Sequence, residues 1–86
     1  MLTEILEWYE TWEKETNFLI ADGFDDAIIG VDEKSMRLIY SVSKCLEILI
    51  EDQGMSFDDA QEYFEYNVSG AYMGEKTPIW CYDNFY

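Results

Sequence analysis

The chain contains no histidine. That absence removes the usual general base near neutral pH, the Cys–His nucleophile pair and every histidine-containing zinc set. Cys45 and Cys81 are the only thiols, and they lack Cys-x-x-Cys spacing, so they read as two reduced, buried small hydrophobes. Positive charge is scarce, with five basic residues against nineteen acidic ones and a net charge of −14, which argues against direct binding to nucleic acid. Long apolar runs are missing too. Ala27 to Ile29 and Ile48 to Ile50 are too short to span a bilayer, and Met1-Leu2-Thr3-Glu4 has neither the basic start nor the apolar stretch of a secretion signal. No Gly-rich phosphate loop and no Gly-x-Ser-x-Gly elbow is present. The expectation is a soluble cytoplasmic protein that is no enzyme, holds no cofactor or metal and has no membrane partner.

What is present is apolar and aromatic. Hydrophobic residues make up 49% of the 86 residues and aromatic ones 17%, far above the content of a disordered acidic tail, so the chain should fold as one domain. Leu2, Ile5, Leu6, Tyr9 and Trp12 recur at helical spacing against Glu4, Glu7 and Glu10, which predicts an acidic amphipathic helix over residues 2–16, within an N-terminal segment 1–17. Trp8, at the edge of that stripe, is expected in the core. Asp22-Gly23 signals a turn, and residues 27–31 and 36–40 read as the strands of a β-hairpin around Asp32-Glu33-Lys34-Ser35. Ser41 or Ser43 then caps a helix that Gly54 ends. Ser56 and Asp59 form a capping-box signature ahead of a helix whose inner stripe is Phe57, Ala60, Phe64 and Val68. Residues 77–82 read as a last strand. The predicted fold is α+β, a three-stranded antiparallel sheet covered by three helices in the order α-β-β-α-α-β, with residues 22–82 as the core unit.

Three features compete as sites. Asp22, Asp25 and Asp26 offer clustered carboxylates, yet their spacing is not that of an EF-hand loop, and a turn leading into a buried strand accounts for them better than a metal-dependent hydrolase. The segment 41–67 has a helix-turn-helix outline, but its second helix carries Asp58, Asp59, Glu62 and Glu65 without a basic residue, which phosphates would repel. Charge is also segregated. Residues 1–33 hold ten acids against Lys14, residues 34–44 hold Lys34, Arg37 and Lys44 with no acid, and residues 45–86 hold nine acids against Lys76. Two acidic helical faces, Glu4-Glu7-Glu10 and Asp58-Asp59-Glu62-Glu65, therefore suit a basic partner protein. In the alternative, a nucleotide-like ligand is sequestered by Lys34, Arg37 or Lys44 at its phosphate and by Tyr72, Trp80 and Tyr82 at its base.

The stretch from Asp22-Gly23-Phe24-Asp25-Asp26 through Ala27-Ile28-Ile29-Gly30, the segment Ile39-Tyr40-Ser41 with Lys44-Cys45-Leu46-Glu47-Ile48-Leu49, the turn Gly54-Met55-Ser56-Phe57-Asp58-Asp59-Ala60, and the run Asn67 to Ile79 containing Gly-Ala-Tyr-Met-Gly-Glu-Lys-Thr-Pro-Ile together resemble a family of small acidic bacteriophage and viral proteins of unassigned function. The resemblance spans about residues 22–82. It implies a phage origin and a cytoplasmic place of action in the host cell, and it transfers no catalytic residue. The functional expectation is an accessory protein that inhibits a host or defence nucleic-acid-binding protein by presenting an acidic, DNA-mimic-like surface.

Overall fold

The computed structural model describes residues 1–12, 18–71 and 74–85. Helix α1 spans Leu2–Trp12, and the rest of the helix expected to residue 16 lies outside the described residues. Leu2 and Ile5 pack against the core, as their spacing requires. Trp8, expected inside, is instead 63% exposed. The reason is the roll of the helix. Tyr9 meets Phe18 edge-on at 5.5 Å, which turns the Leu2–Tyr9 side of the stripe inward and swings Trp8 out on the opposite side of Ile5.

The chain then enters a tight turn, a single 3-10 turn at Asp25–Ala27 and strand β1, Ile28–Asp32. Strand β2, Arg37–Ser41, returns antiparallel, pairing Ile28 with Tyr40 and Asp32 with Arg37 around a bulge at Ile29. The hairpin thus forms as expected, with its turn one residue further along, at Glu33 to Met36. Asp32 fixes that turn: its carboxylate accepts the Ser35 hydroxyl at 2.7 Å and the Lys34 amide at 3.3 Å. Leu38 and Tyr40 point into the core and are fully buried.

Helix α2, Val42–Gln53, follows with no loop at all. Ser41 is its N-cap, the hydroxyl accepting the Lys44 amide at 3.1 Å, and Gly54 closes it in the left-handed conformation, φ 68°. Val42, Cys45, Leu46 and Leu49 are its buried stripe. Helix α3, Phe57–Tyr63, starts at Ser56, whose hydroxyl accepts the Asp59 amide at 3.2 Å. It runs directly into a π-helical segment, Phe64–Ser69. Ala60 and Phe64 are buried, but Phe57 is 54% exposed and corrects the expected stripe. It lines a shallow hollow with Leu46 and Ile50 of α2, because the residue that α3 buries is Ala60, three positions on.

Strand β3, Ile79–Cys81, completes the sheet in the order β1-β2-β3. The α+β class and the element order are those expected. The sheet is mixed, however: β3 runs parallel to β2, pairing Ile39 with Ile79 and Ser41 with Cys81. Two hydrogen bonds show why. The Lys76 ammonium donates to the Ser35 carbonyl at 2.8 Å and the Arg37 guanidinium to the Thr77 carbonyl at 3.3 Å, so the chain re-enters the sheet at the end where β2 begins. The helices α2 and α3 form the crossover that a parallel pair needs. Among the described residues no helix is long and apolar enough to cross a membrane.

Candidate interaction face

The second acidic face lies on α3 and its π-helical extension. Because Ala60 and Phe64 turn inward four residues apart, Asp58, Asp59, Glu62 and Glu65 are left exposed, and Tyr63 and Tyr66 stand out beside them, 42% and 77% exposed. No lysine or arginine occurs between residues 45 and 75 to neutralise this side. Side chains hold the wider π-helical turn: the Asn67 amide donates to the Tyr63 carbonyl at 3.3 Å and the Ser69 hydroxyl to the Glu65 carbonyl at 3.5 Å, four residues back in each case. Met55, Asp59, Glu62, Tyr63, Tyr66 and Asn67 surround an open hollow of about 380 Å³. Tyr63 and Asn67 also wall a second cavity of about 360 Å³, lined chiefly by Ile20, Phe24, Val68, Pro78 and Trp80, with Asp22 as its one charged group among the described residues.

On the first acidic face, Glu4 and Glu7 are exposed on α1, and Glu10 lies on the same helix, its side chain outside the described residues. Glu4 accepts from the terminal ammonium at 2.8 Å, and that hydrogen bond, ahead of a backbone one, holds its carboxyl below the usual range. The two acidic faces are built on separate helices, α1 against β1 and α3 against α2.

The residues of the alternative ligand site do not converge in the same way. Lys34 is exposed on the β1–β2 turn, and Arg37 is engaged by the Ser35 hydroxyl at 3.0 Å and the Thr77 carbonyl. Lys44 borders a hollow whose other charged walls are Asp26, Glu47, Glu51 and Asp52. Trp80 packs between Tyr40 at 5.2 Å and Phe64 at 5.4 Å and lines the apolar cavity, where no cation among the described residues accompanies it. Its indole N–H is buried and meets no acceptor among the described residues. Tyr82 is 48% exposed, and Tyr72 lies outside the described residues.

The Asp22 to Asp26 stretch acts as a turn. Gly23 takes φ 90°, the Phe24 amide donates to the Ala21 carbonyl at 3.1 Å, and the turn sets buried Phe24, Ala27 and Ile28 into the core while its aspartates face solvent. Among the described residues no group of three or more histidine, cysteine, aspartate or glutamate side chains could hold a metal ion. Cys45 is fully buried as expected, and burial, helped by the negative charge of Asp83, pushes its thiol up to about 12. Cys81 is only partly buried.

Asp83 escaped the sequence reading altogether. Its carboxylate accepts the Ser41 hydroxyl at 2.5 Å and the Ser43 amide at 3.0 Å, adding a second cap to the N-terminus of α2. Only the parallel Ser41–Cys81 register brings it there, so no local motif could have marked it. No family model, curated protein or solved structure matches this chain at a significant level.

Proposed function

We propose that this chain is a phage accessory protein that acts by binding, and that its acidic surface inhibits a host or defence protein by occupying the basic groove in which that protein holds nucleic acid. The observation that carries the reading is the α3 face: four exposed carboxylates, with no basic residue anywhere between positions 45 and 75. A surface of one sign attracts a groove of the other from a distance and accelerates encounter, while repelling nucleic acid itself. Sequestration of a nucleotide has less support, since Arg37 is already engaged by Ser35 and Thr77 and, among the described residues, the cavity beside Trp80 has an acidic lining residue but no cation.

Affinity capture from host lysate, followed by a salt titration of the captured complex, tests the proposal. Binding should fall steeply with ionic strength. It should weaken on charge reversal at Glu62 and Glu65, or separately at Glu4, Glu7 and Glu10, and duplex DNA should compete for the partner. Salt-independent capture that is indifferent to both reversals and to DNA overturns it. A small molecule released on denaturation, without a protein partner, would point to sequestration instead.

A further inference from the structure

Two hollows of unlike chemistry meet at the same wall. On one side of Tyr63 and Asn67, the carboxylates of Asp59 and Glu62 and the rings of Tyr63 and Tyr66 surround an open space above Met55. On the other side the cavity is apolar, walled by Ile20, Phe24, Val68, Pro78 and Trp80. We infer that the pair forms a two-point docking site for one linear segment of a partner protein, an arginine entering the acidic hollow and a bulky apolar side chain, a few residues away, entering the cavity beyond it. The inference rests on the binding function proposed above and narrows it from a charged face to a recognisable motif.

The chemistry of each half selects its occupant. A guanidinium is planar, stacks on aromatic faces and donates to carboxylates in a fork, so tyrosine rings interleaved with Asp59 and Glu62 suit arginine better than a compact ammonium. A surface that only imitated phosphates would have no need of Tyr63 and Tyr66, exposed at 42% and 77%, and aromatics left in water on an acidic face are accounted for when a partner covers them. The apolar half disfavours anions, because among the described residues its one charged lining residue is Asp22. Ile20 at 44% exposure leaves the cavity accessible from its rim. The shared wall is held in place by the Asn67 side chain, whose amide donates to the Tyr63 carbonyl at 3.3 Å. Two contacts on one chain then reinforce each other through their effective concentration.

The test is an NMR titration of the intact, isotope-labelled protein with blocked peptides containing one arginine and one leucine separated by one, two or three glycines. Control peptides replace the arginine or the leucine with alanine. The best-spaced peptide should saturate, bind about tenfold more tightly than either control, and shift the amides of Tyr63 and Asn67. Tyr66→Ala and Glu62→Gln should reduce it to the level of the peptide without arginine, and Ile20→Ser to that of the peptide without leucine. All three positions are exposed, and thermal melts verify that each variant is folded. Equal binding by all peptides, no saturation, or shifts that avoid Tyr63 and Asn67 overturn the docking site. A captured basic partner that depends on Glu4, Glu7 and Glu10, together with no peptide binding here, overturns the motif while leaving the inhibitory function standing. Peptide binding without any captured partner does the reverse.

Discussion

The Asp83 carboxylate accepts the Ser41 hydroxyl at 2.5 Å, so a residue just past the third strand caps the helix into which the central strand runs. Partial desolvation tends to raise the Asp83 pKa, but the hydrogen bonds from Ser41 and Ser43 outweigh it and leave the carboxyl below its ordinary value. A carboxyl depressed in the folded state stabilises the fold above its unfolded pKa, near 4, and loses that contribution as pH falls through the lower folded value. Asp83→Ala should therefore lower stability at neutral pH by about 1 kcal/mol. The difference between wild type and Asp83→Asn should shrink below about pH 4. Denaturant melts on both sides of that pH check it, and a gap that stays constant would refute the charge-dependent cap.

Tyr40 is fully buried, and its hydroxyl accepts the Ala21 amide at 2.8 Å, tying the segment after α1 to the middle of the sheet. Tyr40→Phe keeps the ring and strands the amide. Stability should fall by about 1–2 kcal/mol, and hydrogen exchange at Ala21 should accelerate more than at its neighbours.

The two cysteines should differ sharply in reactivity. With its thiol pushed up to about 12 by burial, Cys45 is almost never a thiolate near neutral pH, whereas Cys81 is partly open to solvent. Alkylation of the native protein should modify Cys81 first and reach Cys45 only in denaturant. Cys45→Ser should cost about 1–3 kcal/mol, by leaving a hydroxyl among apolar neighbours. Equal native rates at both sites would contradict the burial of Cys45.

Gly23 and Gly30 make a matched pair, since a Cβ at either would meet nothing within 4 Å, yet only Gly23 has a positive φ, 90°. Gly23→Ala should destabilise by about 1–2 kcal/mol from the backbone alone, while Gly30→Ala should be close to neutral. Asp25→Asn and Asp26→Asn should leave the melting temperature unchanged. Millimolar calcium, magnesium or manganese should not raise it, and a metal-induced rise lost in these variants would restore the aspartates as a site.

Local chemistry made much of this fold legible. Ser41, Gly54 and Ser56 bound their helices where capping rules place them, and the Glu33 to Met36 turn is one residue from its expected position. Features set by distant contacts were not legible. Periodicity marks a stripe on α1 but not the roll that exposes Trp8, which depends on Phe18. The direction of β3 follows from bonds between Arg37 and Thr77 and between Lys76 and Ser35, and no strand pattern encodes them. The acids of the α3 face were readable from spacing. Their grouping with Met55 and two tyrosines around one hollow was not, because it depends on the turn after Gly54 and on a π-helical segment that the Ala60–Phe64–Val68 spacing does not betray.

The parallel pairing of β2 with β3 also has a consequence in time. The Arg37–Thr77 bond joins residues 40 apart, whereas the β1–β2 hairpin and α2 close on near neighbours. Closing so large a loop is entropically slower than zipping a hairpin, so docking of β3 should be the last and rate-limiting event of folding. Release of the same strand should be the first large opening of the native state. That one event uncovers Trp80, frees Arg37 and removes Asp83 from the start of α2, so β3 and the N-terminal turn of α2 should exchange their amide hydrogens together, as a single cooperative unit.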